Sequence, residues 1–203
     1  MMEWEPFETF EHEGFQVELY TDYDAGNPYT EWDQASEILS DVKDYNLGGD
    51  VPHPEQAYSD TPASATMARW LTLFGGYAVA IPWYFADYGS SGARVWLHDP
   101  NDDPASGWLV MTIEVAKDCF EPIEDAEKCA RSEFNAFRAW IEGEVIGYVV
   151  RAGNGDVIDS CWGYYGEIEY VRDEARRAAK DESDERKRLR ALPWMGSLPV
   201  NFV

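Results

Sequence analysis

The stretch "EVIGYVVRAGNGDVIDSCW", residues 144–162, constrains the fold more than any other. Two runs of β-branched and aromatic residues flank Gly153-Asn154-Gly155-Asp156. Asn-Gly between such runs is a strong short-range signal for a β-hairpin. Near the start, "GFQVELYTD" alternates Phe15, Val17 and Leu19 with Gln16, Glu18 and Tyr20, which predicts a strand with one buried face. "YAVAIPWYFAD", "ARVWLHD" and "GWLVMTIEV" predict three further strands. Pro82 confines the first of these to an edge or a bulge, because proline cannot donate to a ladder. The polar cluster "PNDDPASG" separates the other two.

The clearest helix is "EPIEDAEKCARSEFNAFRAWIEG", with Ala126, Ala130, Phe134, Phe137 and Ile141 on one stripe and Gly143 closing it. A second helix is expected over "EWDQASEILSDVKDY", where Trp32, Ala35, Ile38 or Leu39, and Val42 share a face. Thr30 would cap it, Asp33 would complete a capping box, and Asn46 with Gly48 and Gly49 would end it. "SATMARWLTLFGG" predicts a short helix stopped by Gly75 and Gly76. The last helix, "EIEYVRDEARRAAKDESDERKRLR", has only Ile168, Val171, Ala175 and Ala178 as its apolar stripe, so its distal half is expected in solvent. Clustered strands with hairpin turns imply an α+β domain: an antiparallel or mixed sheet of about five to six strands flanked by three or four helices. The expected organisation is an acidic arm over 1–13, one domain over 14–190 and an apolar tail over 191–203.

Charge narrows the function classes. The chain of 203 residues carries 39 acidic and 16 basic side chains, a net charge of −23. Residues 1–60 hold 16 acids and a single base, Lys43, whereas the segment from Arg172 onward holds 8 bases and 6 acids. Such a field repels nucleic acid and anionic membranes and attracts basic protein surfaces. Direct nucleic-acid binding, which requires a basic patch, is therefore not expected. Three cysteines, Cys119, Cys129 and Cys161, make no disulfide framework. The acidic N-terminus lacks the basic and apolar regions of a secretion signal, and no run of about 18 apolar residues is present, so a reduced cytoplasm is the expected location.

Several segments together resemble a family of small proteins encoded by phages, plasmids and other mobile elements. The first shared motif is Asp22, Asp24, Asn27, Pro28, Glu31, Trp32 and Asp33, followed by Tyr45-Asn46-Leu47-Gly48. The last is Gly143, Val145, Gly147, Tyr148 and Val149, then Asp159-Ser160-Cys161-Trp162-Gly163-Tyr164-Tyr165-Gly166. The middle motif matches poorly at Ala86-Asp87-Tyr88-Gly89-Ser90, where Tyr88 replaces the family's His. The similarity spans residues 17–179. It implies a mobile-element origin and an accessory role in the host cytoplasm, not a mechanism.

Candidate chemistry is sparse. Asp99, Asn101 and Asp103 open like a calcium loop, but Pro104 and Val110 stand where Gly and Glu are needed. His12, His53 and His98 show no zinc spacing, so no metal or cofactor is expected. "YGSSG", with Ser90 and Ser91, is not a nucleophile elbow. No catalytic residue is assigned. An arm with Glu3, Glu5, Glu8, Glu11 and Glu13, then Asp22 and Asp24, and a helix with Glu31, Asp33, Glu37, Asp41 and Asp44 could together imitate a row of phosphates. The expected function is a non-enzymatic accessory protein that binds a basic host protein, as counter-defence factors that mimic DNA do. One alternative is a small enzyme or ligand binder with a cleft near Asp87, Cys161, Trp162, Tyr164 and Tyr165. Another is a self-assembling structural component.

Overall fold

The computed structural model describes residues 5–40, 42, 47, 49–50, 71–72, 75–97, 105–122 and 124–191. The fold is α+β. The chain divides into two compact units, one of residues 1–22 with 146–203 and one of residues 23–145. There are more strands than the five or six expected, because each unit has its own sheet, one of four strands and one of five.

The first unit holds β1 (Glu8–His12) and β2 (Phe15–Thr21). Late in the chain it adds β8 (Val145–Arg151), β9 (Val157–Tyr165) and α4 (Ile168–Ala191). Its sheet order is β1-β2-β8-β9. Glu13 (φ 51°) and Gly14 (φ 84°) form the two-residue turn between β1 and β2, and His12 pairs with Phe15 across it. Two left-handed residues in succession are what the primed hairpin turns require. From Glu8 onward the expected acidic arm is thus an edge strand. Antiparallel pairing of β2 with β8 runs from Gln16↔Arg151 to Thr21↔Ile146. The hairpin expected at 153–156 is present, closed by Ala152 N to Asp156 O at 2.9 Å.

Alternation puts Phe15, Val17 and Leu19 of β2 and Ile146, Tyr148 and Val150 of β8 in one core with Val171, Ala175 and Ala179 of α4. The helix stripe steps by four through Ala179 to the buried Ser183, rather than through Ala178, which is half-buried. Small side chains let the helix lie close to the sheet, and each fully buried Val or Leu contributes about 1.5–3 kcal/mol. Most of the distal half of α4 is exposed, as expected, but one edge of it touches the hairpin. Ser183 Oγ lies 3.2 Å from Glu13, Lys187 Nζ lies 3.1 Å from Glu13, and the Arg186 guanidinium sits 4.9 Å above the Phe15 ring. Nearer the helix start, Arg172 pairs with Glu8 at 2.6 Å and Arg176 lies 5.2 Å over Phe10.

The second unit contains α1 (Pro28–Glu31), β3 (Glu37–Ser40), β4 (Gly49–Asp50) and β5 (Tyr77–Asp87). It continues with β6 (Ala93–Trp96), β7 (Gly107–Thr112), α2 (Ile113–Cys119) and α3 (Glu124–Ile141). The sheet order is β4-β3-β7-β5-β6, antiparallel except for the β3–β4 pair. β7 is buried on both faces: Leu109 and Met111 join Trp83, Phe134 and Phe137 in the main core, while Trp108 and Val110 pack with Leu39 and Leu71. Gly107 is required there, because a Cβ would lie 2.1 Å from Leu39 O and 2.5 Å from the Trp83 ring. Pro82 sits where β5 is paired on one side among the described residues, since pairing with β6 begins at Tyr84.

Two expectations are corrected here. The helix over "EWDQASEILSDVKDY" is absent from its described part: Trp32 is extended (φ −116°, ψ 153°) and Glu37–Ser40 is a strand paired with β7. The strand "GWLVMTIEV" stops at Thr112, whose hydroxyl accepts from Val115 N at 3.3 Å and caps α2. Most of "SATMARWLTLFGG" and all of the tail from 192 lie outside the described residues.

Candidate binding site

A concavity in the second unit is lined by side chains between Asn27 and Leu39 together with Leu47. Asn27 Oδ1 accepts from Tyr29 N at 2.9 Å, capping α1 with Pro28 at its first position, where a missing N–H costs nothing. The helix lasts one turn. Beyond it, the Glu133 carboxylate of α3 accepts from Ala35 N at 2.8 Å and Ser36 N at 2.9 Å. It also accepts from the Ser36 hydroxyl, whose oxygen is 3.0 Å from Tyr29 Oη. Trp140 Nε1 holds Ala25 O at 3.0 Å. These bonds fix residues 25–36 from below.

Above them opens a cavity of about 420 Å³, lined among others by Asn27, Trp32, Asp33, Glu37, Ile38 and Leu47. Its floor is apolar, because Ile38 and Leu47 are buried. Its rim is acidic and aromatic: Asp33 and Glu37 are exposed, and Trp32 is 45% exposed. Burial pushes the Tyr29 phenol well above its ordinary range, and burial followed by the neighbouring Glu133 raises the Cys129 thiol. Both therefore stay protonated near neutral pH, and Cys129 Sγ points at Glu133 Oε1 from 3.6 Å as a donor. The Tyr29–Ser36–Glu133–Cys129 group is a hydrogen-bonded brace, without an activated nucleophile.

No family model, curated protein or solved structure matches this chain.

The acids singled out in the sequence do not share one helix. Glu31 ends α1, Asp33 follows it in the connection, and Glu37 opens β3. Glu3, Asp41 and Asp44 lie outside the described residues, while Glu5, Glu11 and Asp24 are exposed. Glu8 and Glu13 are held by α4; hydrogen bonds from Arg172 and from Lys187, respectively, draw their pKa values below the ordinary carboxylate range. Asp22 Oδ2 accepts from Gly163 N at 3.1 Å.

The residues expected around a second cleft belong to different units. Asp87, in the second, is exposed and accepts from Gly89 N at 2.7 Å. Cys161, Trp162, Tyr164 and Tyr165 end β9 in the first. There Tyr164 stacks on Tyr148 at 6.0 Å and lies 5.9 Å from Tyr170, while Tyr148 Oη donates to Asp159 at 3.0 Å. Burial holds both stacked phenols above their ordinary range. Trp162 lies over Gly147, where a Cβ would fall 2.2 Å from its ring, and 5.7 Å from Tyr20. Gly163 (φ 79°) and Gly166 (φ 98°) take the left-handed conformation that turns the chain toward α4. Residues 159–166 thus join sheet to helix, with Cys161, Tyr164 and Tyr165 half-buried and Asp159, Ser160 and Trp162 exposed.

Among the described residues, no three His, Cys, Asp or Glu side chains come together as a metal site. His53, His98, Asp99, Asn101 and Asp103 are outside them. No described helix is long and apolar enough to cross a membrane. Sequence reasoning missed Asn27, Ser36 and Glu133. The signal available for the first was Asn-Pro, a cap followed by a preset first helical residue.

Proposed function

We propose that the chain is a non-enzymatic binding protein whose second unit engages a basic protein surface. The observation that carries this reading is how the two units balance charge. In the first, 17 acids meet 9 bases, and α4 brings Arg172 and Lys187 to carboxylates of the β1–β2 hairpin. In the second, 22 acids meet 7 bases. Its described ion pairs join Arg94 to Glu142 and Glu144, Lys128 to Asp125 and Arg131 to Glu127, and 7 bases are too few to neutralise 22 acids. An unneutralised field of this kind speeds association with a basic partner and penalises acidic ones. The family resemblance adds a setting: a mobile-element protein that binds a basic host protein, a nucleic-acid-handling protein among the candidates. The acids come from a turn, a loop and a strand, so charge complementarity supports the reading better than a helical copy of a phosphate row.

The test is affinity capture from host lysate at low and high salt, followed by competition with duplex DNA. Recovery of basic nucleic-acid-handling proteins that salt and DNA both release supports the proposal. Recovery of none at low salt refutes it.

A further inference from the structure

We propose that the two units close each other's chain: each, when folded, holds together the ends that the other has to bring together, so the unfolding of one weakens the other through chain connection alone. Both crossings are fixed on either side. In the first unit, Thr21 is paired with Ile146 across β2 and β8, and Asp22 Oδ2 accepts from Gly163 N at 3.1 Å. Opposed residues of an antiparallel pair stand about 5 Å apart, so the two ends leave this unit side by side. In the second unit, Trp140 Nε1 of α3 donates to Ala25 O at 3.0 Å, which ties the incoming chain to the helix from which the outgoing chain departs. The outgoing turn is itself fixed. Gly143 (φ 69°) follows the helix, its N–H donates to Trp140 O at 3.2 Å, and Glu144 N donates to Ala139 O at 2.7 Å, the paired bonds of a Schellman ending. Within that turn the Glu142 carboxylate accepts from Val95 N at 3.2 Å and from Arg94 at 3.1 Å, which fastens it to β6.

Chain length sets the size of the effect. With the second unit unfolded, pairing β2 with β8 closes a loop of roughly 120 residues. With it folded, only the residues between Asp22 and Ala25 and between Trp140 and Ile146 lie outside fixed points, roughly ten in all. The probability of closure falls as about the three-halves power of length, so the first unit's folding equilibrium is roughly fortyfold more favourable when the second is folded. Linkage makes the factor reciprocal: the second unit gains as much from the first. A partner that holds the second unit folded therefore also guards the first against opening.

The experiment measures hydrogen exchange of the β2–β8 and β3–β7 amides in the full chain by NMR. Trp83→Asp/Phe137→Asp places two charges in the fully buried core of the second unit and abolishes protection of the β3–β7 amides. The β2–β8 amides should keep their protection but exchange about fortyfold faster than in the parent. A second comparison inserts twenty Gly-Ser residues between Asp22 and Tyr23. In the parent the insertion lengthens a closure of roughly ten residues to roughly thirty and should speed β2–β8 exchange about fivefold. In the Trp83→Asp/Phe137→Asp chain it lengthens roughly 120 to roughly 140 and should change exchange by less than about 1.5-fold. Unchanged β2–β8 exchange when β3–β7 protection is gone overturns the proposal. So does an insertion effect of equal size in both chains, which marks local damage to β2. Complete loss of β2–β8 protection in the doubly charged variant overturns it as well, because closure cannot supply so large a factor.

Discussion

Replacing Glu133 by Ala removes the acceptor on which the path of residues 33–37 depends. The carboxylate takes two backbone N–H groups, at 2.8 and 2.9 Å, and the Ser36 hydroxyl, and Ser36 is 2% exposed. Hydrogen bonds to a charged acceptor contribute roughly 1.5–3 kcal/mol each, and a donor left buried without a partner costs a comparable amount. The three are not additive, since water can enter the space left by the side chain. A loss of about 4 kcal/mol is expected, close to a thousandfold in the folding equilibrium. Glu133→Gln keeps one carbonyl oxygen but turns an NH2 toward a backbone N–H, for a loss of about 2 kcal/mol. Urea unfolding with an unchanged slope measures the stability, and hydrogen exchange of the β3 and β7 amides places the loss. An Ala variant within about 1 kcal/mol of the parent, or a Gln variant equal to it, would show that β7 pairing alone holds β3 and that the brace is incidental.

Three further outcomes are expected. Gly107→Ala forces a methyl group against a backbone carbonyl at 2.1 Å and a fully buried Trp83, neither of which can yield, so a loss above about 3 kcal/mol in thermal or urea unfolding should result. Gly147→Ala meets the Trp162 ring at 2.2 Å, but Trp162 is 41% exposed and can swing away; a loss of about 1–2 kcal/mol with increased solvent quenching of one tryptophan is the expected result. The third concerns pH. The Glu8 and Glu13 carboxyls have folded pKa values below the ordinary 4.5, so their pairing with Arg172 and Lys187 stabilises fully above that value and is lost as pH falls through the lowered ones. Acid unfolding followed by α4 ellipticity should therefore begin at higher pH in Glu8→Gln, and the parent should gain acid sensitivity in high salt.

What was legible in the sequence was local or periodic. β2, β8 and β9 follow from alternation and an Asn-Gly turn, and α3 from the steps between Ala126, Ala130, Phe134 and Phe137. The segment after Thr30 misled because Trp32, Ala35, Ile38 and Val42 fit a helical period by coincidence. The deciding partner, Glu133, is 97 residues away from Ser36. The cavity was hidden for the same reason, since its lining was read as a helix face. The arm was read by its charge sum, which carries no information on the Arg172 and Lys187 contacts 164 and 174 residues distant. The end of β7 at Thr112 was legible: a threonine before Ile-Glu-Val is a serviceable cap, overridden in the reading by the apolar run around it.

The register Thr21↔Ile146 joins the ends of everything between them. Opposed residues in an antiparallel pair stand about 5 Å apart, so the chain departs from β2 and re-enters β8 through a gap that a two-residue turn could bridge. Without the span 23–145, the strand order β1-β2-β8-β9 becomes a plain meander followed by one helix. The second unit is therefore an inserted cassette, and a shortened gene joining Thr21 to Ile146 by Asn-Gly encodes the four-stranded scaffold alone. During synthesis the insertion also imposes a delay. At roughly 5–20 residues per second, on the order of ten seconds separate the emergence of β2 from that of β8. Through that interval the first hairpin offers an unpaired edge.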